Sequence, residues 1–275
     1  MKDRAPITIH DYEQFMANSD AVAAKLANSR TAGISAFFDG TVSHFEGYSE
    51  TFLKHEYQAR LELDEPSVTR IQSRVTNILS QSAVAAGAPL LTASKGLEKA
   101  HITLQTCRFG ANLEDDAIQN MVDVLNHESK FNLVAGALKG RSISFDRLVA
   151  GANGSFYLCS SQVVPETLKA RNTVSKLISR KFPTTTGVYS AGKSASELEG
   201  NSSLSLVEFR DITHCVVGRL VAPTDRSILI KLLATAEEID GSLQNNPLEV
   251  SVGNVRFDST YNIMAREVPG LVTKK

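Results

Sequence analysis

Two short apolar segments that each begin with a histidine decide the fold of this chain: His101-Ile102-Thr103-Leu104 and His214-Cys215-Val216-Val217-Gly218-Arg219. Both have the composition of β-strands, in which successive side chains point to opposite faces. Each histidine therefore shares a face with the residue two positions later, while the apolar residues between them point into a core. We expect the two strands to lie side by side and to hold both imidazoles at one cleft.

Two imidazoles at one cleft can perform acid/base chemistry without a metal. The unperturbed pKa of imidazole lies nearest neutrality, so one ring can accept a proton while the other donates one. Such a pair suits phosphoryl chemistry. A single histidine on a strand is more often a hydrogen-bonded structural residue, so the prediction rests on the context that the two histidines share.

That context is an order of elements that occurs twice: strand, proline-initiated helix, histidine strand, helix, strand. The first copy is predicted to contain a strand over 57–63, a helix opened by Glu65-Pro66, the His101 strand, a helix over about 113–127 and a strand over 143–149. The second copy is predicted to contain a strand over 155–159, a helix opened by Pro165, the His214 strand, a helix over about 225–240 and a strand over 250–255.

The paired histidine strands and the repeated order resemble the two-histidine phosphoesterase superfamily, which includes the bacterial RNA 2′,3′-cyclic phosphodiesterases long labelled 2′-5′ RNA ligases. The resemblance covers about residues 56–268. It implies a bilobal, duplicated α+β fold with a central cleft between two antiparallel sheets. It also implies that His101 and His214 are the acid/base pair, that Thr103 and Arg219 bind phosphate, and that no metal or other cofactor is used.

The implied enzyme is a cytoplasmic phosphodiesterase that hydrolyses a 2′,3′-cyclic or 2′-5′ phosphate linkage in a nucleotide or RNA end. One departure from the family pattern is Val216, which stands where the second motif should carry Thr or Ser. Valine keeps the shape but loses a hydroxyl that would contact phosphate. The alternative is therefore a nucleotide or RNA-end binding module of the same fold with weak or no turnover.

A third candidate function comes from residues 187–194, which match the G-x-x-x-x-G-K-[ST] phosphate-loop pattern of nucleotide triphosphatases. The preceding residues 181–186 do not form the apolar strand that such a loop requires. We therefore predict that residues 183–201, rich in Thr, Ser and Gly, form a mobile loop. Within it, Tyr189 and Lys193 are candidates to touch a substrate when the loop closes.

Composition limits the remaining functions. The formal net charge of −1 argues against bulk binding to duplex nucleic acid, and the chain has no apolar run long enough for a membrane span. The three cysteines are scattered, which indicates free thiols in a reducing compartment. The remaining histidines have no metal-ligand spacing and do not predict a zinc site; they are His10, His44, His55 and His127.

Two domains are expected: an extension over residues 1–50 and the phosphoesterase-like domain over residues 51–275. The extension is predicted to contain a helix over about 11–28, followed by a loop over the glycine- and phenylalanine-rich stretch 33–48. Three roles for the extension stay open: packing on the first lobe, binding a protein partner, or covering the cleft.

Overall fold

A computed structural model describes residues 19–45, 48–49, 56–93, 99–108, 115–181, 188–189, 205–209, 212–259 and 272–273. The helices are α1 (Ser19–Asp39), α2 (Glu65–Ile71), α3 (Asn77–Ala86), α4 (Asp115–Asn126), α5 (Ser129–Leu138), α6 (Pro165–Lys181) and α7 (Arg226–Asn245), with a π-helical segment (Gln72–Thr76) between α2 and α3. The strands are β1 (Tyr48–Ser49), β2 (Glu56–Leu63), β3 (Leu90–Thr92), β4 (His101–Arg108), β5 (Ser142–Phe145), β6 (Arg147–Ala150), β7 (Ser155–Cys159), β8 (Val188–Tyr189), β9 (Ser205–Phe209), β10 (His214–Leu220), β11 (Leu248–Ser259) and β12 (Val272–Thr273).

The main sheet of the described residues has ten strands, with the path β5-β11-β2-β4-β10-β7-β6. All neighbours on this path are antiparallel, and β3 and β9 join it beside β10 and β4. The short β8 pairs in parallel with β9, and β1 and β12 form a separate parallel pair. The chain is therefore an α+β protein built on antiparallel strands, as the sequence predicts. The described strands of both copies lie in one main sheet, however, rather than in two sheets on either side of a cleft.

The two ends of the sheet path are brought together by the chain itself. Strands β5 and β6 stand at opposite ends of the path, yet only Asp146 separates them in sequence. Two Cα steps span less than about 8 Å, so the ends of the sheet must approach each other. The sheet is accordingly curled into a nearly closed, barrel-like form.

The sequence signals for the first proline-initiated helix are confirmed. The carboxylate of Asp64 accepts a hydrogen bond from Ser67 N at 2.8 Å, which caps α2, and Pro66 occupies its first turn. After the π-helical segment the helix continues as α3 and ends at Gly87, whose φ of 73° lies in the left-handed region. Pro165 likewise opens α6.

The N-terminal helix differs from the prediction. The described part of α1 runs from Ser19 to Asp39, so residues 33–39 are helical rather than loop. Gly33 permits this because a Cβ atom there would lie 1.7 Å from the carbonyl oxygen of Ala150. The glycine allows α1 to approach β6 closely, and the described part of the extension packs on the domain.

Two further differences concern the end of the first copy. The strand predicted over 143–149 is two strands, because Asp146 turns the chain and its carboxylate accepts bonds from the amide and hydroxyl of Ser161. Helix α5, which the sequence analysis did not predict, precedes β5. A third difference lies in the second copy, where helix α7 continues to Asn245, beyond the predicted end near residue 240.

One extended apolar core joins the sheet to its helices. It includes Ile102 and Cys215 from the two histidine strands, and Phe37 of α1, whose ring packs edge-on against Phe156 with centroids 5.7 Å apart. Helix α3 packs against α7, and α5 packs against α6. Among the described helices, none is long and apolar enough to cross a membrane.

Candidate active site

The two histidine strands are hydrogen-bonded neighbours. Strands β4 and β10 pair antiparallel with Ile102 across from Cys215, and both of these side chains are fully buried in the core. The register puts His101 across from Val216 and Thr103 across from His214, all on the opposite face. Diagonal neighbours on such a pair have Cα atoms about 7 to 8 Å apart, which is close enough for both imidazoles to act on one small group.

Each imidazole is held in the same way by its own strand. Nδ1 of His101 lies 3.0 Å from the carbonyl oxygen of Lys99, and Nδ1 of His214 lies 3.0 Å from that of Ile212. A carbonyl can only accept, so Nδ1 is the nitrogen that carries hydrogen in both rings. In the neutral ring the lone pair is therefore on Nε2, the nitrogen that a base uses.

A buried arginine joins the two strands where they begin to diverge. Arg171 of α6 donates from Nη2 to the carbonyl oxygens of Thr103 and Ile212, both at 3.3 Å. The carbonyl oxygen of Ile212 also accepts the hydrogen bond from Nδ1 of His214. The Arg171 guanidinium therefore connects the backbone of β4, at Thr103, to the carbonyl group that orients the His214 ring. Arg171 is only 1 % exposed, which fixes this connection in the interior. We infer that it positions the two histidines relative to each other.

For the two-histidine reaction that the sequence predicts, replacement of Arg171 by methionine, which keeps most of the stem but no donor, should lower kcat about tenfold. The reason is that both carbonyls lose a charge-assisted partner and the two strands separate more easily. Thr173→Ala on the same helix is the control, because the Thr173 hydroxyl donates to the carbonyl oxygen of Lys169 in α6 itself. A kcat within twofold of the parent in folded Arg171→Met would contradict the positioning role.

Val216 and Arg219 both share the face of His214. Val216 is half-buried, and its neighbours in β10 are fully buried. The register with β7 shifts between Val216 and Gly218, so that Gly218 pairs with the core residue Phe156. Val217 has no partner in β7 and is therefore an extra residue, which forms a β-bulge in β10. Without the bulge Gly218 would lie on the histidine face; with it, Arg219 does.

Arg219 lies at the end of this face, against the segment that follows α1. Its guanidinium carbon stands 4.9 Å from the centre of the Phe45 ring, in a cation–π contact. The backbone N–H of Phe45 donates to Leu220 O at 2.7 Å, which fixes the segment beside β10. The extension therefore contributes a side chain next to one of the residues expected to bind phosphate.

Two residues of β7 surround the second histidine. The ring of Tyr157 meets that of His214 edge-on, with centroids 5.4 Å apart, and its hydroxyl accepts a 2.7 Å bond from Asn153. Cys159 is the cross-strand partner of His214. Burial raises the pKa of the Cys159 thiol, so Cys159 stays protonated near neutral pH and does not form a nucleophilic Cys–His pair.

A charged cluster flanks the first histidine. Glu62 of β2 is the cross-strand partner of His101, and Arg60 is that of Thr103. The Glu62 carboxylate accepts from Arg60 Nη2 at 3.0 Å and from Arg256 Nε of β11 at 3.1 Å. Arg60 and Arg256 are themselves cross-strand partners. The histidine face thus continues across β2 and β11 as a row of charged groups.

Sequence reasoning missed Arg60, Glu62, Arg256, Tyr157 and Arg171 as members of the site. For β2 the signal was present, because residues 58, 60 and 62 alternate with apolar ones and must share a face. For α6 the signal was an arginine in the apolar stripe, at the helical spacing of its buried neighbours. For the strand residues, only the register shows which histidine each one lies beside. For Arg171, only its hydrogen bonds to the two strands show this.

The loop candidates are only partly within the described residues. The backbone of Tyr189 belongs to β8, but its side chain, Lys193 and the rest of 183–201 other than 188–189 lie outside them. Helix α6 is the described element before the phosphate-loop pattern, and the short β8 falls inside the pattern. Within the described ranges, no group of three or more His, Cys, Asp and Glu side chains could hold a metal ion.

Comparison of the chain with models of known protein families finds no match, and a search of curated proteins also finds none.

Proposed function

We propose that the protein is a metal-independent phosphodiesterase that hydrolyses a 2′,3′-cyclic or 2′-5′ phosphate linkage in a nucleotide or RNA end. The observation that carries this proposal is the pair of imidazoles on one face of adjacent strands, each with Nδ1 bonded to a backbone carbonyl. Both Nε2 atoms are then the reactive nitrogens toward a phosphate bound between them.

In the proposed reaction, one neutral histidine takes a proton from water as the water oxygen bonds to phosphorus. The bond from phosphorus to the leaving sugar oxygen breaks, and that oxygen receives the proton of the other, protonated histidine. Thr103 donates its hydroxyl to a nonbridging phosphate oxygen, and Arg219 offsets negative charge at the far side. The two histidines exchange protonation states in one turnover and are reset through solvent.

The strand order supports a duplicated, bilobal origin for the site. The two central strands, β4 and β10, carry the histidines. Next to them lie the first strands of the two copies, β2 and β7, which precede the proline-initiated helices. Outside these lie the last strands, β11 of the second copy beside β2 and β6 of the first copy beside β7. Apart from β5, which lies outside β11, the order reads the same from both sides, and each last strand pairs with the first strand of the other copy. Two related lobes that exchange their last strands would give this arrangement.

The second candidate function is a binding module of the same fold. Val216 favours it, because this side chain stands on the histidine face at the position where a hydroxyl would contact phosphate. The loss of that donor would weaken transition-state stabilisation more than ground-state binding if the hydrogen bond forms mainly in the transition state.

Incubation of the purified protein with 2′,3′-cyclic nucleotides and 2′-5′-linked dinucleotides separates enzyme from binding module. We expect turnover of at least one of them, unchanged by EDTA. Loss of turnover on chelation, or Mg²⁺-dependent ATP or GTP hydrolysis that Lys193→Ala abolishes, would contradict the proposal. Saturable binding of the cyclic nucleotides without turnover would favour the module.

Substitution Val216→Thr should raise kcat/KM for the preferred substrate by up to about tenfold, because it adds one donor at nearly constant volume. Val216→Ala is the matched control, since it changes the same site without adding a hydroxyl. If the threonine variant loses about 1 kcal/mol or more of unfolding free energy and gains no activity, Val216 faces the core and the site is assigned wrongly.

A further inference from the structure

A second apolar cluster lies on the histidine face of the sheet, separate from the main core. Cys159 is the cross-strand partner of His214 and shares its face, and Tyr157 lies two positions earlier on that same face. Val149 of β6 is the cross-strand partner of Tyr157. These side chains pack together with Ile212, which precedes β10. The main core lies on the opposite face of the same strands.

This cluster contains three groups that hold the ring of His214. The Tyr157 ring meets the imidazole edge-on with centroids 5.4 Å apart, and Cys159 lies directly across from it in β7. The carbonyl oxygen of Ile212 accepts the hydrogen bond from Nδ1 at 3.0 Å. Buried side chains are closely packed, so the removal of one displaces its neighbours. A change in the cluster should therefore move or loosen the imidazole.

Helix α1 of the extension completes the cluster. Val22 and Leu26, one helical turn apart, are 1 % and 4 % exposed, and both belong to it. Among the described side chains of residues 20–29, these two are the ones that are buried. The apolar packing of the amino-terminal half of α1 is therefore directed at the surroundings of His214.

The carboxyl-terminal half of α1 is held by a different part of the protein. Arg30 forms ion pairs with Glu237 and, at 3.6 Å, with Asp240 of α7. Gly33 lies against the backbone of β6, and the ring of Phe37 packs in the main core. Because α1 is one continuous helix, these contacts fix how its amino-terminal half meets the histidine face.

We propose that Val22 and Leu26 are positioning residues of the site, through which the extension holds the cluster that orients His214. This inference rests on the proposed function, in which His214 is one of the two acid/base groups. A general acid or base must meet the reacting group within hydrogen-bond reach, so a small displacement of the ring slows proton transfer. Residues 1–50 lie outside the family resemblance, and their described helix is on this inference a part of the active site.

The substitution Leu26→Ala tests this role, because it leaves a space in the cluster. The kcat for the preferred cyclic nucleotide should fall about tenfold while KM stays within about twofold of the parent value. The reason is that the change reaches the His214 ring and not Thr103 or Arg219, the groups expected to bind phosphate. Leu26→Met refills the space with a side chain of similar volume and should restore kcat to within about twofold.

A second measurement does not depend on turnover. In proton–carbon NMR spectra, the Cε1–H signal of His214 should shift in Leu26→Ala, because the imidazole and the Tyr157 ring no longer keep their edge-on contact. The signal of His101 should stay in place. Ile34→Ala is the matched control, since it truncates an equally large side chain of the same helix that packs against the main core. It should shift neither signal.

An unchanged His214 signal in folded Leu26→Ala would overturn the inference while leaving the phosphodiesterase intact. An equal shift and an equal loss of kcat in Ile34→Ala would do the same, because the effect would then be one of general stability. If Leu26→Ala does not fold, Val22→Ala makes a smaller truncation in the same cluster and takes its place. Absence of turnover on every cyclic substrate would instead overturn the proposed function, and the NMR comparison would still decide whether α1 holds His214.

Discussion

Replacement of either His101 or His214 by alanine is expected to lower kcat by about 10²-fold or more while leaving the fold intact. An acid/base pair acts as a unit, so removal of either partner removes proton transfer at one end of the reaction. The double variant should be little slower than the slower single variant. Steady-state rates on the preferred cyclic nucleotide, with circular dichroism as a check of folding, measure this effect.

His127→Ala is the matched control for these variants. His127 is exposed, and its ring bonds to the carbonyl oxygen of Asp123 one helical turn earlier. Its removal should change kcat by less than twofold. Full activity in either His101→Ala or His214→Ala would remove that histidine from the mechanism, and additive losses in the double variant would show that the two do not act together.

The largest expected loss of stability follows from Asp240→Ala. The buried carboxylate of Asp240 accepts from Nε and Nη2 of Arg147 at 2.9 and 3.0 Å, and from the backbone of Leu148 at 2.9 Å. The hydrogen bond to Asp240 raises the pKa of the Arg147 guanidinium above its ordinary value. Removal of the carboxylate leaves the arginine without this partner, so the free energy of unfolding should fall by about 3 to 5 kcal/mol.

Urea unfolding measures this loss, and Glu238→Ala serves as its control. Glu238 is exposed on the same helix, and its removal should cost no more than about 0.5 kcal/mol. The double variant Asp240→Ala/Arg147→Met should be less destabilised than the sum of its single variants, because no uncompensated charge remains. A loss below about 1 kcal/mol in Asp240→Ala would mean that β6 is not held to α7 by this pair.

The sequence predicted those parts of the fold that local rules govern. Strand alternation identified β2, β4 and β10, and the Glu65-Pro66 signal identified the start of the helix that follows β2. The break of β5 from β6 was missed although the sequence signals it, because the alternation of Ile143 and Phe145 does not continue past the consecutive polar residues Asp146 and Arg147. What separates the strands is a set of contacts from Asp146 to Ser161, which is distant in sequence.

The part of the candidate site that follows from the alternation of side chains along one strand could be predicted from the sequence. His101 and Thr103 share a face by alternation alone, whereas His214 joins that face only through the register of β10 with β4. Arg219 does not lie there by alternation, since five residues from His214 would put it on the opposite face, and only the bulge in β10 returns it. The cluster around Glu62 depends on which strands pair and in which register, and these are tertiary properties that a single sequence does not state.

The pH dependence of kcat/KM in the parent and in the two single histidine variants tests most directly the claim that these imidazoles are the acid and the base. The parent should give a bell-shaped profile, because one ring must be neutral and the other protonated. His101→Ala should lose one limb of the bell and His214→Ala the other, each with a reduced plateau. A bell that keeps both limbs in either variant would show that the acid and base are other groups, and would contradict the account.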